Sequence, residues 1–276
     1  MKLRIVFSFV LALCLVSGLL AEVNAPRLGM ARYADRTVYT IYGLESNLLV
    51  NSQLLSSADA ISFSDAGGLI AIGGRIQLIT LQGAAVGEYD SAEPKPIVNI
   101  DGDLTTAIAW LPSLSRIVRW NGSSFAQTEL VNPDLPGRVT SIRATSAGGA
   151  KLLANDSNGN VFLVSVSLET GRVVSINLLP GIKGPAFQHY SFVISHDANG
   201  LHITGADGTV RTLPLVAPDL MFERMSSDWL HVSSANTGQD WALHLNQSAL
   251  HLSQMPGPQF ERRLAPRPQQ PKEKAQ

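Results

Sequence analysis

Apolar and polar residues alternate along most of this chain, and Gly, Asn and Asp break the alternation at short intervals. A period of two puts successive side chains on opposite faces of an extended strand, so each run reads as a strand and each break as a turn. Val38 to Gly43 is the first β-rich run. Ile61-Ser62-Phe63 leads through Ser64-Asp65-Ala66-Gly67-Gly68 into Leu69 to Ile72, and Gly73-Gly74 turns the chain into Ile76 to Leu81. Ala107 to Trp110, Arg116 to Trp120 and Phe125 to Leu130 follow. The last two flank Asn121-Gly122, the strongest short hairpin signal in the chain, because a type I′ turn needs positive φ at both central residues.

Val139 to Ala144, Lys151 to Ala154, Val161 to Val166 and Arg172 to Leu178 then read as a complete four-strand meander. Tyr190 to Ile194, Leu201 to Thr204 and Thr209 to Leu215 form another set. Trp229 to Ser233, Trp241 to Leu245 and Leu250 to Gln254 form the last. After the N-terminal segment no stretch keeps helical periodicity over about a dozen residues. First strands of successive units start near Ile61, Ile108, Ile142, Phe192 and Leu230, at irregular intervals centred on about 40 residues, the period of a four-stranded blade. The expected fold is therefore all-β: a β-propeller, with six blades of four-stranded antiparallel sheets favoured and five or seven left open. Strands around Ala31 to Tyr42 are expected to complete the last blade and cover its edge.

Three segments carry a resemblance. Ser64-Asp65-Ala66-Gly67-Gly68 and Ser195-His196-Asp197-Ala198-Asn199-Gly200 look like the turn between inner strands of propeller blades. Leu168-Glu169-Thr170-Gly171-Arg172-Val173-Val174 is similar to a turn common in YVTN-like and quinoprotein blades. The chain thus resembles secreted bacterial β-propellers of the broad WD40, NHL and YVTN class. The resemblance implies architecture alone. The Gly-His and Trp-Asp signatures of WD40 repeats are absent, and Leu69 and Leu201 stand where a sialidase Asp-box has an aromatic.

The two ends differ from the body. Lys2 and Arg4 precede an apolar run from Ile5 to Ala21, the pattern of a secretory signal peptide over residues 1–25, with cleavage after Ala21 or Ala25. The run is near the length that spans hydrocarbon, so an uncleaved anchor is the competing reading. The single cysteine, Cys14, lies inside it. Leu13 stands where a lipobox has a small residue, which disfavours lipidation. A cleaved chain would hold no thiol for a disulfide, a metal site or nucleophilic catalysis. Residues 26–258 are expected to form the propeller. Residues 259–276, rich in Pro, Gln and charge, are expected to stay disordered.

Charge narrows the partners. Lys and Arg total 21 against 22 Asp and Glu, so there is no electrostatic footprint for nucleic acid. Membrane contact is expected only through an uncleaved leader, and no cofactor is implied. All six histidines lie between His189 and His251, none at the spacing of a zinc helix motif, so no metal site is expected. Their reading changes if His231, His244 and His251 share one face; on alternating strands His231 and His244 are expected at solvent or a blade edge. Asp156, Asp197 and Asp207 sit at turns, where a carboxylate bonds its own backbone more readily than it binds calcium. Trp110, Trp120, Trp229 and Trp241 are expected to pack between blades, with Trp110 and Trp120 the better candidates for an exposed sugar platform. Sequons at Asn121, Asn155 and Asn246 matter only in a glycosylating host.

No catalytic or binding residue can be assigned from these patterns. The function expected is an exported, non-catalytic scaffold for a protein, peptide or glycan ligand. The alternative is a propeller hydrolase, lactonase-like or glycan-active, at the central pore. The first predicts a neutral, apolar pore; the second predicts Asp, Glu or His converging at one pore mouth.

Overall fold

The computed structural model describes residues 25–257, apart from residue 132 and residues 247–249. The expected leader up to residue 24, Cys14 within it, and the expected tail over 259–276 lie outside the described residues. Strands run in sequence order as antiparallel meanders. The first is β1 (Arg27–Arg32), β2 (Val38–Leu44) and β3 (Asn47–Leu55). The second is β4 (Ala60–Phe63), β5 (Gly68–Ile72), β6 (Arg75–Ile79) and β7 (Ala85–Asp90). The third is β8 (Ile97–Asn99), β9 (Ile108–Leu111), β10 (Arg116–Trp120) and β11 (Phe125–Glu129). The fourth is β12 (Arg138–Ala144), β13 (Gly149–Asn155), β14 (Asn160–Ser167) and β15 (Val173–Lys183). The fifth is β16 (Ala186–His189), β17 (Phe192–Asp197), β18 (Gly200–Thr204) and β19 (Val210–Leu213). The sixth is β20 (Leu220–Arg224), β21 (Trp229–Ser234), β22 (Gln239–Leu245) and β23 (Leu250–Gln254).

Apolar faces of neighbouring meanders pack on one another in order, and the order closes. Met30 and Val38 meet Ile61, Phe63 and Ile70 between the first and second. Leu69 and Leu78 meet Val98, Val118 and Trp120 between the second and third. Ile117 meets Ile142 and Leu152 between the third and fourth. Ile194 and Leu201 meet Leu230 and Val232 between the fifth and sixth. Ala31 and Ile41 then meet Met225 and Trp229, so the first meander seats against the sixth. This is the arrangement of a β-propeller built from four-stranded antiparallel sheets. The third, fourth and fifth meanders are separate four-stranded sheets. The second and sixth are joined into one eight-stranded sheet by a single parallel pairing, Arg224 with Ser62.

Several sequence expectations need correction. The N-terminal strands do not complete the last blade. They form a three-stranded sheet of their own, because β2 finds its second partner locally in β3, after a tight turn at residues 44–47. The strands starting at Ile108, Phe192 and Leu230 are second strands of their meanders. The first strands β8, β16 and β20 are three to five residues long and carry Asn99, Gln188, His189, Glu223 and Arg224, which breaks the apolar alternation. Hence the turn at Ser195 to Gly200 joins middle strands, while Ser64 to Gly68 does join a first and second strand. At Asn121-Gly122, Trp120 pairs with Phe125 and leaves a four-residue loop. Asn121 Oδ1 accepts the N–H groups of Ser123 and Ser124, so a side chain organises the turn and no type I′ pair is needed.

Candidate functional site

Three places gather polar side chains from more than one meander. The first is the hub, where the short first strands converge. Asp101, just past β8, accepts Arg143 Nε of β12 at 2.6 Å through one oxygen. Its other oxygen lies 2.7 Å from Arg224 Nη2 of β20. Arg143 Nη1 also donates to the Tyr190 carbonyl at 2.6 Å, and the Tyr190 hydroxyl donates to the Asp101 carbonyl at 2.7 Å. The Arg224 guanidinium sits over the Tyr190 ring, 4.5 Å from its centroid. Four meanders are thus tied by one carboxylate and two guanidiniums. Arg224 is fully buried; burial lowers its pKa against the opposing pull of Asp101, yet an arginine stays charged. His189 beside it is pushed well below its ordinary range by burial and by Arg224, so the ring is neutral and donates Nε2 to the Ser227 carbonyl at 2.9 Å.

A second buried set lies where the sixth meander meets the first. Arg32 donates through Nε and Nη2 to Glu223 Oε1, at 2.9 and 2.6 Å. His231 Nε2 lies 2.8 Å from Asp240 Oδ1 and Nδ1 lies 3.9 Å from Glu223 Oε2. Burial alone would lower the His231 pKa, but the hydrogen bond to Asp240 and the nearby Glu223 carboxylate outweigh burial and raise it. The expectation that His231 faces solvent is therefore wrong: it is fully buried, held between two carboxylates. His244 stacks on Trp229 and lies 2.6 Å from Glu45, with His251 opposite it on β23. By register His231, His244 and His251 do lie on one face of the sixth sheet, but among the described residues no three His, Cys, Asp or Glu side chains are placed to hold a metal ion. Neither pore expectation holds as stated. The hub is charged, against the apolar pore of the scaffold reading, and Asp101, Glu223 and Asp240 are each engaged by a cation or imidazole.

The third place is a cleft of about 910 Å³ between the fourth and fifth meanders, within the size of ligand pockets. Its origin is readable strand by strand. The face of the fifth sheet toward the sixth carries Phe187, Ile194, Leu201, Ile203 and Leu213. The face toward the fourth carries a cross-strand row of Ser195, His202 and Thr212, and a second row of Gln188, Val193, Thr204 and Val210. Hydroxyls and an imidazole stand where other meanders place aliphatic side chains. The buried apolar residues left between these two sheets are Leu153, Val161 and Ala186. On the facing wall, Phe162 pairs with Leu178 and Asn160 with Lys183, so Leu179-Pro180-Gly181-Ile182 loops out of β15 and shapes the rim. Arg143 and Tyr190 reach the inner end of the cleft, linking it to the hub.

One wall holds a hydrogen-bonded line. His202 Nε2 meets Asp197 Oδ1 at 2.8 Å and Nδ1 meets Thr212 Oγ1 at 3.0 Å. The His202 bond, then the Asn199 N–H, hold the Asp197 carboxyl below its ordinary range. His196 is 8% exposed, its Nε2 has no hydrogen-bond partner among the described residues, and burial lowers its pKa.

The remaining singled-out residues take structural places. Asp156 Oδ1 accepts the N–H groups of Asn158 and Asn160, and Asp207 accepts that of Thr209, so both organise turns, as does Asp197. All four tryptophans are buried; Trp110 and Trp120, the expected exposed pair, are 3% and 6% accessible. Trp120 packs edge-on against Phe125, its cross-strand partner, which removes it from any sugar platform. The side chains of Asn121 and Asn246 are exposed and that of Asn155 is half-buried. No helix among the described residues is long and apolar enough to cross a membrane.

No protein-family model matches the sequence, and comparison with curated protein sequences finds no match. Solved structures do align with it. The chain is similar to BBS1N crystallised in complex with ARL6DN, at 16% identity and a TM-score of 0.44, covering 83% of this chain and 76% of that one. It is similar to streptogramin B lyase, at 11% identity and a TM-score of 0.46, covering 86% of each. It is also similar to BamB from Moraxella catarrhalis, at 16% identity and a TM-score of 0.37, covering 80% of this chain and 75% of that one. At such scores these likenesses carry no functional argument, and the fold rests on the sheet topology above.

Proposed function

We propose that this chain is an exported, non-catalytic β-propeller that serves as a scaffold and holds a protein or peptide ligand in the cleft between its fourth and fifth meanders. The cleft carries the reading: at this blade junction facing sheets present hydroxyl, amide and imidazole groups to an opening of ligand size. All four tryptophans are buried and none lines the cleft, which favours a peptide over a glycan. Ion pairing of the hub carboxylates speaks against acid–base work there. Export rests on the Lys2, Arg4 and Ile5–Ala21 pattern, and the N-terminal sequence of protein recovered from the host envelope or medium tests it.

A photo-crosslinking residue at Thr204, in the cleft, is expected to trap a discrete polypeptide in the native host, while the same residue at exposed Gln82 is not. Absence of any adduct at Thr204 overturns the site. The hydrolase reading has one observation of its own, the Asp197–His202–Thr212 line. Ester or amide hydrolysis that disappears in Thr212→Val would replace the scaffold reading with that one.

A further inference from the structure

The cleft is unevenly charged. Three cations line it, Arg143, Lys151 and Lys183, against one carboxylate, Asp197. Asp197 is already taken by His202 and the Asn199 N–H, so it offers little to a ligand. Arg143 is committed to Asp101, and Lys183 Nζ donates to Asn160 Oδ1 at 2.8 Å with Asp156 nearby. Lys151 differs. It is half-buried on the cleft wall, and no hydrogen bond or ion pair engages it among the described residues. With its stem on the wall and no partner for its ammonium among the described residues, Lys151 is free to receive an incoming anion.

The other wall is greasy. Leu163, Leu179 and Ile182 face the opening from the fourth meander, and Val193 from the fifth. β15 is the outermost strand of its sheet; its exposed Ile176 and Leu178 pair with Val164 and Phe162 and so project toward the third meander, away from the cleft. The outer edge of β15, which continues into the loop at Leu179 on the cleft rim, offers main-chain groups to an extended chain, and Leu163, Leu179, Ile182 and Val193 supply the apolar contacts within the cleft. We infer that the ligand of the cleft is an extended peptide segment that alternates acidic and aliphatic residues, with its carboxylates toward Lys151 and Lys183. This rests on the scaffold reading and names the ligand's chemistry.

Fluorescence anisotropy on the full chain tests it with three labelled peptides: one alternating leucine and aspartate, its asparagine counterpart and its lysine counterpart. The acidic peptide is expected to bind, with the asparagine peptide about tenfold weaker, the difference one charge-assisted contact supplies. Lys151→Gln is expected to reduce that preference, leaving only what Lys183 supplies. Lys151→Glu is expected to shift it toward the lysine peptide, a gain that misfolding cannot mimic. Equal binding of acidic and asparagine peptides, or an unchanged preference in Lys151→Gln, overturns the inference. If the Thr204 crosslink traps a polypeptide while no acidic peptide binds, the scaffold reading stands and this inference alone fails.

Discussion

Asp101 is the sole carboxylate in the hub's four-meander tie, and that position makes an unequal prediction for its partners. Arg224→Met removes a guanidinium whose Nη2 lies 2.7 Å from Asp101, but Asp101 keeps Arg143 at 2.6 Å. One cation and one anion remain. The loss is a charge-assisted contact of about 1.5–3 kcal/mol, partly offset because a fully buried guanidinium no longer has to be desolvated. A net destabilisation of about 1–2 kcal/mol is expected. Asp101→Asn does the opposite. It leaves two guanidiniums, 5.5 and 4.5 Å from the Tyr190 ring centroid, with no anion between them, and about 3–5 kcal/mol is expected. For a domain stable by about 5–15 kcal/mol, that is a large share. Combining the substitutions should be milder than Asp101→Asn alone, since the more deeply buried uncompensated charge is gone. Urea unfolding followed by tryptophan fluorescence measures all three, because the four tryptophans are buried in the native fold. The argument is refuted if Arg224→Met costs as much as Asp101→Asn, or if the double variant is the least stable.

Three further outcomes follow from the same geometry. The folded pKa of His231 is raised above 6.5, so its contribution to stability is fully present below about pH 6.5 and is lost as pH rises through the folded value. The stability gap between the native chain and His231→Gln should therefore shrink from acid toward alkaline pH in urea titrations, and a gap that widens contradicts the buried ion pairs. Gly29 holds φ at +153°, and a Cβ there would lie 2.3 Å from the Met225 carbonyl oxygen, which accepts the Met30 N–H. Gly29→Ala should cost more than about 2 kcal/mol by prising the first meander from the sixth, and a shift in thermal midpoint below a few degrees would count against that closure. A Cβ on Gly87 would meet the Trp120 ring at 2.3 Å, so Gly87→Ala should cost about 1–3 kcal/mol and Trp120→Phe in the same chain should recover part of it.

What the sequence disclosed and what it hid divide along one physical line. Turns were legible because their chemistry is local: Asp156, Asp197, Asp207 and Asn121 bond backbone groups two to four residues away. Middle strands were legible because both faces meet neighbouring blades and their apolar content is high. First strands were not, because at the narrow hub a short strand such as β8 or β20 exchanges apolar residues for Asn99, Glu223 and Arg224. The tie at Asp101 joins residues 42 and 89 positions away, so no linear motif could announce it. The cleft hid for a subtler reason. Ser195, His202 and Thr212 each look like an ordinary polar position in an alternating strand. Only their register, one beside the next across β17, β18 and β19, makes them a wall. In a strand with one face at solvent, such residues would face water without consequence. Between two blades of a propeller both faces are interior, so a polar row there leaves a junction unfilled, and the side of β18 opposite Leu201 and Ile203 becomes the surface a ligand can reach.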